Sequence, residues 1–230
     1  MGASVVFAGA ESISLGSNNP LSSTSEATWS MWIQFDELGT AAQYYFGRDY
    51  DSSFCLGYDG TDSSNRKLEL QVTGTGGHFI RSSDDLGSTL LTASVWSHVA
   101  WTWDYNGGSP QFGLYVDGVS KTSSYRVWSD VVSAMSAGTS DLGIGDTPLS
   151  ATYDFAGKIS YVRLFDRALS QAEVQDQVYN PYAYTTNLVG GWDLLTTSPP
   201  DISGNGLGGT NSGSATSTDG PPVHLFAGGI

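Results

Sequence analysis

The chain has little that can bond covalently, little that is basic, and no long apolar run. Cys55 is the single cysteine among 230 residues, so no intrachain disulfide can form and the redox compartment stays open. Within Phe54-Cys55-Leu56-Gly57-Tyr58 it is expected as a small buried strand residue. Lysine and arginine number 9 against 23 acidic residues, a formal net charge of −14. A surface of that sign repels phosphate backbones and anionic membranes, which argues against nucleic acid as a partner and is compatible with divalent cations. The alternative is that the acidity only keeps a surface protein soluble. No stretch reaches transmembrane length. No basic residue precedes Arg48 and no long apolar run follows Met1, so no signal peptide is read in the given chain. No Asn-x-Ser/Thr sequon occurs. The three histidines, His78, His98 and His224, have no metal-ligand spacing, and nucleophile elbow, phosphate-cradling glycine loop and CxxC pair are all missing.

What is abundant suits strands joined by tight turns: 29 Gly, 12 Tyr and 7 Trp, with only 14% of residues charged. The centre of the pattern is Trp96 to Gly118, where two arms rich in aromatic and β-branched residues flank Tyr105-Asn106-Gly107-Gly108-Ser109-Pro110. They read as a hairpin. Its first arm is apolar on both faces, Trp96 and Ala100 one way and Val99, Trp101 and Trp103 the other, as in a strand covered on both sides. Thr28 to Phe35 alternates, placing Trp29, Met31, Ile33 and Phe35 on a core face. Leu68-Glu69-Leu70-Gln71-Val72 has a period of two and predicts a strand with one wet face. One helix is expected near 170–179: Ser170 and Glu173 form a capping box, Leu169 and Val174 a hydrophobic staple, and Asn180-Pro181 ends it.

The run Trp96-x-His98-Val99-Ala100-x-Thr102-x-Asp104, then Leu114-Tyr115-Val116-Asp117-Gly118, resembles the signature hairpin of concanavalin A-like lectin domains in the laminin-G-like and pentraxin branch. Leu142-Gly143-Ile144-Gly145-Asp146 and the stretch from Phe155 to Ser170 resemble later strands of that family, and Val5 to Gly9 with Ile13 to Leu15 its opening strands. The resemblance covers roughly residues 5 to 180 and is more specific together than in any piece. It implies an all-β fold, an antiparallel two-sheet jelly-roll sandwich with one short helix, occupying residues 1–182. Residues 183–230 form a C-terminal segment in which 187–194 resembles a family opening strand and is expected to pair beside the opening strands of the same sandwich. A truncated second module or a docking arm is the alternative. Residues 203–230 read as a Gly/Ser-rich arm, mobile by composition or held by a neighbouring subunit.

Enzymes of this superfamily carry E-x-D-x-x-E on one strand, because glycoside hydrolysis needs two facing carboxylates. No glutamate here starts that motif, and Glu69, flanked on its face by Lys67 and Gln71, reads as a solvated strand residue. His98 reads as a structural histidine. Pentraxin-like relatives place calcium ligands in regions that here hold Asp49 and Asp51, and Asp146 with Asp154. The family's dense ligand run is not reproduced after Leu142, and turn-shaping aspartates are the competing reading. Tyr44, Tyr45, Tyr50, Tyr125, Trp128 and Tyr153 lie in or near candidate loops, of which Tyr50, Tyr125, Trp128 and Tyr153 are singled out for stacking on a sugar ring. The resemblance and the composition together lead to the expectation of a non-enzymatic, surface-displayed adhesion or decoration module. A virion protein such as a phage capsid decoration or fibre is the first choice, with capsid or other particle-surface proteins, copies of itself or glycans as partners. A secreted carbohydrate-binding lectin, calcium-dependent or not, is the alternative, and a glycoside hydrolase the third.

Overall fold

The structure is a computed structural model. It describes residues 3–9, 11–48, 53–61, 67–83, 91–106, 111–121, 125–129, 131–145, 153–212 and 215–223, leaving the side chains of 78–83, 125–129, 212 and 217 outside the description.

Two antiparallel sheets enclose one apolar core. Among the described residues the first sheet has eight strands, ordered β10 (Val119–Ser120), β9 (Gln111–Val116), β8 (Ser97–Asp104), β3 (Glu26–Phe35), β14 (Ala156–Phe165), β1 (Ala3–Ala8) and β17 (Thr216–Asp219), with β15 (Leu188–Trp192) also on β14. The second has nine: β11 (Tyr125–Ser129), β7 (Gly77–Ser83), β6 (Lys67–Thr75), β5 (Phe54–Asp59), β4 (Gln43–Gly47), β13 (Gly143–Ile144), β2 (Ser12–Ser14) and β16 (Thr210–Ser212), with β12 (Ala134–Met135) on β6. The helix α1 spans Gln171–Tyr179. The expected jelly-roll sandwich with one short helix is the observed architecture.

Side-chain parity explains the layering. β8 pairs with β9 on one side and β3 on the other. Val99, Trp101 and Trp103 therefore face the core together with Trp29, Met31, Ile33 and Phe35. Ala100 points the opposite way and is covered by Phe165, Leu169, Val174 and Leu188 beneath α1. The second sheet contributes Phe54, Leu56, Tyr58, Leu68, Leu70 and Val72 to the same core. Tyr45, placed by sequence in or near a candidate loop, is a strand residue with no exposed surface, because a shift of register between Tyr44 and Phe46 turns its ring inward.

β14 carries an irregularity that the rest of the edge exploits. Its register against β3 shifts between Ser160 and Arg163, and Tyr161 has φ +49°, the left-handed region that costs a bulky residue. The shift lets Ile159, Val162 and Leu164 all face the core. β1 pairs with β14 before this point, from Ala156 to Ile159, and β15 after it, from Val162 to Phe165. The segment 187–194 thus takes β14 as its partner rather than the opening strands, and Trp192 enters the core with Phe7 and Trp101. Its indole N–H donates to the Leu207 carbonyl at 2.6 Å.

The Gly/Ser-rich arm does not trail away from the domain where it is described. β16 pairs with β2 at the edge of one sheet, and β17 with β1 at the edge of the other. The arm therefore finds its backbone partners within its own chain.

Candidate functional site

The outward face of the second sheet is where polar and aromatic groups of this chain converge. On β6 the inward positions Leu68, Leu70 and Val72 leave Glu69 and Gln71 facing out, as the period of two predicts. The face is not wet at Gln71, which has no exposed surface. Tyr44 of β4 and its neighbours cover it: the Tyr44 ring lies over Gly57, where a Cβ would stand 2.5 Å from Cδ1. Gly57 is opposite Glu69, and Cys55, buried as expected, is opposite Gln71. The glycine makes room for the ring, and the ring excludes water from the strand behind it.

Three features then define the chemistry. Tyr153 is 39% exposed, its ring standing edge-on to that of Tyr44 at 5.6 Å and 84°. Its backbone carbonyl accepts the Tyr44 N–H at 2.9 Å. Gln71 donates through Nε2 to the Tyr44 hydroxyl at 3.5 Å, while its buried Oε1 has no hydrogen-bond partner among the described residues. The Glu69 carboxyl is pushed up to about 7, by burial first and then by the Asp59 carboxylate, with Lys67 and Gln71 opposing. The expectation of a solvated Glu69 is thus corrected: the side chain is half-buried, and near neutral pH its carboxyl donates a hydrogen bond in one state and accepts in the other. An exposed aromatic plate on the same face as such a carboxyl suits a ligand rich in hydroxyl groups.

Of the residues singled out by sequence, Tyr153 is the one whose described side chain lies at this face. Tyr125 and Trp128 fall on strand β11 rather than in a loop, and their side chains are outside the description. The register aligns Trp128 with Ile80 and Ile80 with Gln71, so Trp128 lies in the same row of the sheet. Tyr50, Asp49, Asp51 and Asp146 lie outside the described residues. Asp154 is described: it sits against Gly9, and its buried Oδ1 has no hydrogen-bond partner among the described residues. Among the described residues no three histidine, cysteine, aspartate or glutamate side chains gather closely enough to hold a metal ion.

His98 is buried in the first sheet, with Nε2 2.8 Å from Ser30 Oγ and its ring edge-on to Trp32. Burial lowers it to about 3, so it stays neutral at physiological pH. Asp117 Oδ1 accepts the His98 backbone N–H at 2.8 Å rather than its ring N–H, so no relay of serine, histidine and aspartate is formed.

Comparison with known proteins follows the same lines. A family model described as the concanavalin A-like lectin/glucanases superfamily matches residues 7–175. No curated protein matches the sequence. Among solved structures, a protein of Bacteroides ovatus ATCC 8483 provisionally named as carbohydrate-binding has a TM-score of 0.68 at 18% identity, over 98% of this chain and 62% of its own. The heptameric SAP-like pentraxin of Limulus polyphemus has a TM-score of 0.54 at 15% identity, over 77% of this chain and 82% of its own. Tailspike protein 2 of the Escherichia coli O157:H7 bacteriophage CAB120 has a TM-score of 0.53 at 16% identity, over 80% of this chain and 25% of its own. Identities this low establish a shared fold alone. The chain spans less than two thirds of the Bacteroides protein and a quarter of the tailspike.

Proposed function

We propose that this chain, which belongs to the concanavalin A-like lectin/glucanases superfamily, is a non-enzymatic glycan-binding module displayed on a surface, foremost on the exterior of a virion. The observation that carries the glycan reading is the Tyr153 ring, exposed yet braced by Tyr44, on the sheet face that also carries the half-buried Glu69 carboxyl. Such a plate stacks on the C–H face of a sugar while the half-buried Glu69 carboxyl is the polar group of that face that can take a hydroxyl. A glycan array followed by calorimetry on the hits tests it. Tyr153→Ala should weaken binding roughly tenfold, the usual scale for a central aromatic contact. No hits on the array, or hits indifferent to Tyr153→Ala, would overturn this reading of the face.

The virion role is supported by the formal charge of −14, which suits an exposed, soluble particle surface, and by the likeness to a tailspike domain. Capsid or other particle-surface proteins, and further copies of the chain, are the partners it implies. A secreted lectin is the companion reading and shares the same site. Among the described residues no helix is long and apolar enough to cross a membrane. Mass spectrometry of purified particles separates the two, since a decoration module co-purifies with capsid protein and a secreted lectin does not.

Calcium belongs to the proposal through Asp154, whose buried partnerless oxygen fits a hard cation. Asp49, Asp51 and Asp146 would complete such a site. Titration with calcium chloride should then release or absorb heat and raise the melting temperature, and Asp154→Asn should abolish both; a silent titration removes the metal from the reading.

One observation favours hydrolysis as a second reading. Glu69 is held near neutral, as a general acid must be, and Asp59 stands on the same face with its Oδ1 bonded to the Thr61 N–H at 2.9 Å. Against it, the neighbours of Glu69 along its own strand face are Lys67 and Gln71. Release of reducing sugar from any bound glycan, lost in Glu69→Gln, would establish an enzyme in place of a lectin.

A further inference from the structure

The opposite side of the molecule carries an exposed aromatic ring that is fixed more tightly than covering a surface requires. α1 ends at Asn180, an extended C-cap whose N–H donates to the Asp176 carbonyl at 2.8 Å. The Asn180 side-chain Oδ1 accepts the Tyr182 N–H at 3.1 Å, and the Ala183 N–H donates to the Asn180 carbonyl at 3.0 Å. This tight turn lays Tyr182 back over β14, on the outward side of the first sheet.

Three contacts then hold the ring. Its hydroxyl donates to Asp193 Oδ2 at 2.6 Å. Its edge meets Tyr161 at 6.2 Å and 85°. The Arg163 guanidinium lies 5.2 Å from its centroid. Each nitrogen of the Arg163 guanidinium is itself engaged: Nη2 donates to Asp193 Oδ1 at 2.5 Å, Nε to the Pro181 carbonyl at 2.9 Å and Nη1 to the Val162 carbonyl at 3.0 Å. Yet Tyr182 remains 42% exposed, so part of its surface meets solvent while the rest is held against the sheet. A ring fixed in advance loses little rotamer entropy when something stacks on it.

We infer that Tyr182, Asp193 and Asn180 form a second glycan subsite, which takes the C–H face of an uncharged pyranose. Tyr182 supplies the plate. Asp193 uses one lone pair of each oxygen internally and keeps the others for sugar hydroxyls, its side chain being 16% exposed. Asn180, exposed and anchored through Oδ1 to the Tyr182 N–H, supplies Nδ2 as a donor from the same turn. The surrounding charges select for neutrality: Arg163 beneath the ring opposes a cation, and Asp193 at its rim opposes an anion.

This subsite shares only the ligand class with the proposed function and none of its residues, so the two fail separately. Saturation-transfer NMR with methyl glucoside, methyl galactoside and methyl mannoside reads it, with choline and glucuronate as charged controls. At least one neutral glycoside should give a signal from its ring C–H protons that persists in Tyr153→Ala. Tyr182→Ala should remove roughly tenfold in affinity, Asn180→Ala about threefold, and Tyr182→Phe, which keeps the plate, less than threefold. Tyr182→Phe also guards against misfolding, because it retains the ring contacts. If Tyr153→Ala abolishes every signal, or if choline or glucuronate binds as well as the glycosides, the subsite is overturned while the first site stands. If Tyr182→Ala alone abolishes all binding, the subsite stands and the Tyr153 face is overturned.

Discussion

Glu69 and His98 are both driven toward their uncharged forms by burial, and they bend the pH dependence of stability in opposite directions. Glu69 has an unfolded value of 4.5 and a folded one of about 7. Between these the folded state holds the extra proton, so its contribution to stability grows as pH falls from 7 to 4.5. His98 has an unfolded value of 6.5 and a folded one of about 3. There the unfolded state holds the extra proton, and stability is lost as pH falls from 6.5 to 3. In the shared window the two offset each other. Glu69→Gln removes one side of the balance: its melting temperature should fall steadily from pH 6.5 to 4.5, while the parent chain changes less over that interval. Superimposable curves in differential scanning calorimetry would show that Glu69 is not held near neutral. The side-chain direction of Glu69 was legible from alternation alone. Its desolvation was not, because the ring that covers this face comes from a different strand, seated over a glycine whose purpose only the register reveals.

At the scale of elements, α1 and the loop after β15 show the two ways in which short segments are held. α1 has nine residues, too few to be stable alone in water. Its start is closed by Ser170 and Glu173, whose Oε2 accepts the Ser170 N–H at 2.8 Å, and Arg167 pairs with the same carboxylate at 2.8 Å. The Arg167 contact, with the Ser170 bonds, lowers the Glu173 carboxyl to about 2. Ser170→Ala should cost about 1 kcal/mol, roughly 2–4 °C in melting temperature for a chain of this length, with faster hydrogen exchange confined to the helix. Asp201 works differently. Its carboxylate accepts from the N–H groups of Gly191, Ser203 and Leu207 and from the Ser203 hydroxyl, tying the loop to β15. Asp201→Ala leaves these donors unmet and should cost roughly 2–4 kcal/mol, seen as a clearly larger drop than Ser170→Ala in the same denaturant titration; equal drops would mean that the loop relaxes freely. The capping box was readable because it is written in four consecutive residues. The parity of β3 and β8 was readable because it repeats. The bulge in β14 was hidden, since Tyr161 carries no sign of its positive φ and the two strands that meet along that edge, β1 and β15, come from opposite ends of the sequence. Of the candidate site the aromatic pair Tyr44 and Tyr153 was legible; Gln71 and Glu69 gain their meaning from packing across strands.

For the whole molecule, the decisive feature is that a polar arm of low apolar content finishes both sheets. β17 covers β1 from Ala3 to Val6, and β16 covers β2 from Ser12 to Ser14. Composition suggested a mobile tail because the arm has few apolar side chains to bury, and it missed the backbone hydrogen bonds, which need no particular side chain. Exposed strand edges are templates for pairing with other chains. The arm therefore acts less as a source of core than as a cover over two edges that would otherwise face solvent. Deleting residues 210–230 leaves Leu207 in place to accept the Trp192 indole, so the core should persist while both edges open. The shortened chain is expected to retain its β-sheet circular dichroism and to elute as concentration-dependent dimers or larger species in size exclusion with light scattering, where the full chain elutes at a smaller mass. A truncated protein that stays folded and runs as a monomer at all concentrations would show that β1 and β2 protect their own edges, and that the arm's pairing serves another end.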